Sequence, residues 1–119
     1  MKKNENIEYT TKEKVNIFET TSPLFNSLYK EIQDLSKKKP DGTLNESKVK
    51  LINRLLNDIK DFLIDEQENK YLDILSDENL PQYSDVVLIL SQYSAALQKF
   101  KSKYYVRNEI SCEYNWLIK

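Results

Sequence analysis

One glycine, Gly42, and three prolines are all that interrupt a chain of 119 residues. Glycine and proline break helices and shape tight turns. A fold of many short strands needs such residues roughly every 8–12 positions, so their scarcity points to long helices. The composition, 39% hydrophobic and 31% charged, is that of a globular chain. The length suits one domain whose core needs no disulfide or metal to hold it.

Three long helices are marked by their apolar spacing. The first is predicted to open at Ser22-Pro23, a good N-cap followed by a proline at the first helical position. Leu24, Phe25, Leu28, Ile32 and Leu35 then fall on one face, and Lys37–Lys39 sit at the negative end of the helix dipole. Pro40-Asp41-Gly42 reads as a turn. Thr43 and Glu46 have capping-box spacing, which predicts a second helix over 44–65 carrying Val49, Ile52, Leu56, Ile59 and Leu63. Leu51, Leu55 and Phe62 widen that stripe. A short fourth helix is predicted over 67–75, then a loop. The last long helix should start after Ser84, with Tyr83 stapled onto Leu88, and run to Tyr105 along Val86, Leu90, Tyr93, Leu97, Phe100 and Tyr104.

The ends have a different period. Ile110, Cys112, Tyr114, Trp116 and Ile118 alternate with other residues, as do Ile7 with Tyr9 and Val15 with Ile17. Period two is the pattern of a half-buried strand. The expected fold is therefore mainly α: a small bundle of three long helices plus one short. Its termini are extended and able to form a minor antiparallel β pairing. In this reading residues 1–21 are an extended N-terminal segment, 22–106 the helical core and 107–119 an extended C-terminal segment. Cys112 is expected to be a small buried apolar residue.

The net charge is −1, which gives the whole chain no pull toward nucleic acid or membrane. Residues 58–85, however, hold nine acids against two bases. No apolar stretch follows Met1, and the longest apolar run, Val86–Leu90, falls far short of the roughly 20 residues of a membrane span. With one cysteine, a reducing cytoplasm is the expected location.

Absent residue types constrain the chemistry most. With no histidine there is no Ser-His-Asp or Cys-His catalysis and no histidine metal ligand. One cysteine leaves no zinc site of the usual kinds, and one glycine excludes a phosphate-cradling loop. No cofactor is expected. One enzyme chemistry remains open, a magnesium-dependent nucleotide hydrolase using helix carboxylates. Asp58, Asp61 and Asp65, with Glu68 beyond them, form one stripe of the second helix. At about 100° per residue that stripe lies opposite the apolar one, so a solvated face is the simpler expectation. A second alternative is nucleic-acid binding by Lys99, Lys103, Tyr105 and Arg107 at the end of the last helix, bases on phosphates and a tyrosine stacking on an unpaired base.

The favoured expectation is a non-enzymatic protein–protein interaction module, a homo-oligomer or a small subunit of a larger complex. It rests on the last helix, where Leu88 lies about 200° from Val86, away from the core stripe. Val87, Leu88, Ser91 and Ala95, extended by Trp116, are the expected interface residues.

Overall fold

The computed structural model describes residues 7–119, so residues 1–6 of the expected extended segment lie outside the described residues. Three helices dominate: α1 (Lys12–Lys38), α2 (Glu46–Phe62) and α3 (Tyr83–Tyr104). A single 3₁₀ turn, Gln67–Tyr71, lies between α2 and α3. A hairpin of β1 (Tyr105–Arg107) and β2 (Tyr114–Trp116) follows α3 directly. The mainly α bundle expected from the sequence is the fold observed. Among the described residues no helix is long and apolar enough to cross a membrane.

The first helix starts ten residues earlier than Ser22. Thr11 caps it, its side-chain oxygen accepting a hydrogen bond from the Lys14 N–H at 3.1 Å. Val15, Phe18, Thr21, Phe25 and Ile32 form its buried stripe, which continues through Pro23. Val15 and Ile17 thus lie in a helix and not in a strand. Pro23 has no N–H to give the carbonyl one turn back, a loss of about 3 kcal/mol in a helix interior. Apolar burial on both sides of it offsets that cost. The nearby Thr20 and Thr21 hydroxyls donate to the Asn16 and Ile17 carbonyls at 2.9 and 2.8 Å.

The α1–α2 turn explains the lone glycine. The Tyr83 N–H donates to the Gly42 carbonyl at 2.7 Å, and the Leu44 N–H to that of Pro81 at 3.1 Å. Tyr83 lies over Gly42 so closely that a β-carbon there would meet its ring at 2.7 Å. Thr43 bridges Gln82 and does not cap α2. The cap is Asn45, whose Oδ1 accepts from the Lys48 N–H at 2.9 Å. The extended segment between turn and cap drives Leu44 into the core, which moves the helix start past the expected capping box. In the same way α3 begins at Tyr83, one residue before the expected cap, and Tyr83 covers Gly42 while Leu88 stays exposed.

Helix α2 ends at Phe62, short of the expected residue 65, and the predicted helix over 67–75 shrinks to the 3₁₀ turn. Residues 72–80 are coil, so their backbone groups need other partners. The Asn53 side chain donates to the Leu75 carbonyl at 2.9 Å and accepts from its N–H at 3.0 Å. From α3, Gln92 accepts from the Asp73 N–H at 3.1 Å, and the Tyr93 hydroxyl donates to the Asp73 carbonyl at 2.8 Å. Leu72 and Leu75 enter the core between these two latches.

At the far end the core is aromatic. Phe100 lies 5.3 Å from Phe18, 5.1 Å from Phe62, 5.0 Å from Tyr104 and 6.0 Å from Trp116, ring centre to ring centre. Trp116 is brought there by the hairpin, where Tyr105 pairs with Trp116 and Arg107 with Tyr114. The C-terminal strand predicted from alternation is therefore shorter than expected and pairs with β1, directly after α3. Residues 108–113 are a turn instead: the Asn108 side chain accepts from the N–H groups of Ile110 and Ser111, and the Cys112 N–H donates to the Asn108 carbonyl at 2.8 Å. Cys112 has a φ of 62° and an exposed side chain, which overturns the expectation of a buried strand residue. The two end segments do meet, by one parallel bridge, Thr10 to Ile118. There the Thr10 N–H donates to the Leu117 carbonyl at 2.8 Å and the Lys119 N–H to that of Thr10 at 3.0 Å.

Because Pro23 is exposed in a continuous helix, Pro23→Ala is expected to stabilise the protein by on the order of 2–3 kcal/mol. Urea unfolding followed by circular dichroism measures it. Destabilisation by the alanine would mean that α1 needs the proline.

Candidate functional site

The residues of the expected α3 interface do not form one patch. Leu88 is 67% exposed and Ala95 is exposed, with Val87 and Ser91 half-buried beside them. The Ser91 hydroxyl donates to the Leu88 carbonyl at 2.6 Å. Trp116 sits elsewhere, 5.5 Å from Phe18 and 4.9 Å from Tyr105. Twelve helical residues, about 18 Å of rise, separate Leu88 from the Phe100 level where Trp116 packs. The α3 face is therefore one exposed leucine beside a half-buried valine, among small and polar residues.

The basic end of α3 is largely occupied by its own acids. Lys99 pairs with Glu68 at 2.9 Å, and Lys103 with Glu8 at 2.8 Å and Glu66 at 3.1 Å. Tyr105 is stacked on Tyr114 at 5.4 Å and has Lys101 over its ring. Arg107 is exposed on β1. Two of the three cations proposed for phosphate contacts are thus held in ion pairs within the fold.

Asp58, Asp61 and Asp65 are exposed, and Asp65 pairs with Lys14 of α1 at 2.8 Å. Among the described residues no group of three or more acids, cysteines or histidines is placed to hold a metal ion. Asp58 and Asp61 instead border a groove between α1 and α2, together with Glu13, Lys14, Ile17 and Thr20.

That groove continues toward the Pro40–Gly42 turn as an apolar trough lined by Leu24, Leu28, Leu51, Ile52 and Leu55, with Arg54 and Asp58 at its rim. Leu24 is 58% and Leu51 59% exposed, while Leu28 and Leu55 are half-buried beneath them. All four belong to the apolar stripes expected to face the core. The width of the stripes was the available signal. On α1 the apolar residues from Leu24 to Tyr29 span about 140°, wider than a minimal core-facing stripe of about 100°.

A second cluster went unseen in the sequence. Glu66 is one of the nine acids of the 58–85 stretch, yet it is only 8% exposed. Its carboxylate accepts from the Tyr104 hydroxyl at 2.9 Å and from the Lys103 ammonium at 3.1 Å. Lys103 reaches on to Glu8, so the network ties the loop after α2, the end of α3 and the N-terminal segment together. Every member has a partner inside the fold, which marks the cluster as structural. Burial opposes the charge of Lys103, but hydrogen bonding with Glu8, Glu66 and Tyr104, and the charge of Glu66, together raise its pKa above the usual lysine range. Burial, aided by Glu66, raises the Tyr104 phenol, with Lys103 opposing. Burial, with Asp73 adding to it, raises the Tyr93 phenol. Comparison with protein-family models, curated proteins and solved structures finds no match to the chain.

Removing one partner of a buried, charged hydrogen-bond network leaves the others unsatisfied. Glu66→Ala is expected to cost about 2–3 kcal/mol in urea unfolding, and Glu66→Gln, which keeps an acceptor for Tyr104, about half of that. Equal costs would show that the carboxylate charge and the acceptor geometry carry no separate weight. A pH dependence follows as well. Tyr93, Tyr104 and Lys103 each hold their proton more tightly in the folded chain. Their contribution is complete below about pH 10, where the unfolded groups are still protonated, and is lost as pH rises above that. Stability is expected to fall steadily over this alkaline range, with a shallower slope in Tyr93→Phe. An unchanged slope would contradict the assignment.

Proposed function

We propose that the chain is a non-enzymatic protein-binding module that docks its partner in the α1–α2 groove. The observation that carries this reading is the convergence of Leu24, Leu28, Leu51 and Leu55 on a surface trough. Lone exposed leucines are ordinary on protein surfaces, but a rimmed apolar trough is the form a binding surface takes. Covering a leucine is worth roughly 1.5–3 kcal/mol, and in this fold Leu24 and Leu51 leave most of that unrealised. The composition supports the non-enzymatic part of the reading: no histidine, one cysteine and one glycine. The apolar helix surface invoked here lies on α1 and α2 and not on the Leu88 side of α3, because only the former gathers several leucines in one concavity.

Two measurements test it. Leu24→Gln and Leu51→Gln should each change the unfolding free energy by no more than about 0.5 kcal/mol. A leucine that holds the core together costs about 2–5 kcal/mol when truncated, and a value in that range would assign these side chains to folding. A photo-crosslinking amino acid at position 51, introduced in the native cell, should give a discrete protein adduct that Leu24→Glu removes. No adduct above that of the same probe at Ser102 would overturn the proposal.

A further inference from the structure

Resting on the groove reading, we infer that the occupant is a basic amphipathic helix of another protein. The first argument is hydrogen bonding. The walls are two α-helices, and the one carbonyl that Pro23 leaves without a helical partner, that of Glu19, belongs to a residue outside the groove lining. An extended peptide laid between them would turn its own N–H and C=O groups toward leucine side chains and leave them unpaired, whereas a helix satisfies its backbone internally. The second argument is shape. Leu24 and Leu28 are one turn apart on α1, and so are Leu51 and Leu55 on α2, so each wall is a ridge with a repeat of about 6 Å. Such ridges interdigitate with the side-chain rows of a third helix. From the level of Glu13 to that of Leu28 the groove runs about 22 Å, room for a helix of about 15 residues.

Charge then selects the partner. Glu13, Asp58 and Asp61 line the end of the groove beyond Ile17. Lys14 is the one cation lining that end among the described residues, and its ammonium is held by Asp65 at 2.8 Å. The leucine trough adds one further cation, Arg54, beside Asp58, so the surplus of negative charge sits at the Glu13 end. A partner helix that offers apolar side chains to the leucine ridges and lysines or arginines to the acidic end complements both halves, and the acidic field steers it in. An acidic helix would bury like charges against Asp58 and Asp61.

The test uses the full chain and stapled 15-residue helical peptides carrying leucines along one face. Two versions bear three lysines, at one end or the other, and two bear glutamates in the same places. Binding is read by fluorescence anisotropy. The better lysine peptide is expected to bind at least tenfold tighter than either glutamate peptide, to weaken with added salt, and to lose binding to Leu51→Glu. In the double variant Asp58→Lys, Asp61→Lys the preference should reverse. These variants are surface changes, and circular dichroism checks that they fold. Equal binding of lysine and glutamate peptides, both lost in Leu51→Glu, would sink the basic partner while leaving the groove in place. Peptide binding unaffected by Leu51→Glu, or no binding at all, would remove the groove as well. A dimer of the chain alone that Leu51→Glu dissociates would overturn the inference by making a second copy the occupant.

Discussion

The ring of Phe100 is the contact on which the assembly depends. It touches aromatic side chains from all three helices and from the hairpin: Phe18 of α1, Phe62 of α2, Tyr104 of α3 and Trp116 of β2. Edge-on and stacked rings at these distances add specific attraction to plain burial. The cluster also fixes the position of the helices relative to one another. Phe62, the last residue of α2, sits against Phe100, and from there the chain leaves toward the 3₁₀ turn with Glu66 facing Lys103 and Tyr104. With Trp116 seated, the hairpin folds back over α1, and its next residues meet Thr10.

Away from that cluster, side-chain amides do the work of regular structure. Asn53 closes both backbone groups of Leu75, and Asn69 donates to the Lys60 carbonyl at 2.8 Å. Gln92 and Tyr93 hold Asp73 from the opposite helix. The connection between α2 and α3 is therefore an irregular segment with assigned partners, and two leucines in the core are its anchor.

Helix identity was legible because burial follows the three-and-four rhythm: Val49, Ile52, Leu56 and Ile59 are all in the core, as are Val86, Leu90, Tyr93, Leu97 and Phe100. Helix ends were less legible, because several residues could cap and the choice is made by tertiary contacts. Ser22-Pro23 has the chemistry of a start, but so does Thr11, and burial of Val15 and Phe18 decides for the latter. Thr43 has the spacing of a capping box, but Leu44 has to reach the core first. The period-two stretch at the C-terminus hid a turn, since Asn108 folds residues 108–113 with hydrogen bonds that leave no hydrophobic trace. The α1–α2 trough could be read as apolar but not as uncovered, because exposure depends on which neighbour is missing. Glu66 looked like one more surface acid, and only the arrival of Tyr104 from 38 residues away in sequence makes it a buried one.

The parallel bridge between Thr10 and Ile118 has a mechanical consequence. The two segments run side by side in the same direction, one leading into α1 and the other leaving β2. Tension applied outward through both ends of the chain therefore loads this pairing in shear. The hydrogen bonds to Leu117 and from Lys119 then share the load and must yield together, instead of opening one after another as a peeled hairpin would. The aromatic end of the bundle is shielded from a pull on the chain until that clasp gives way.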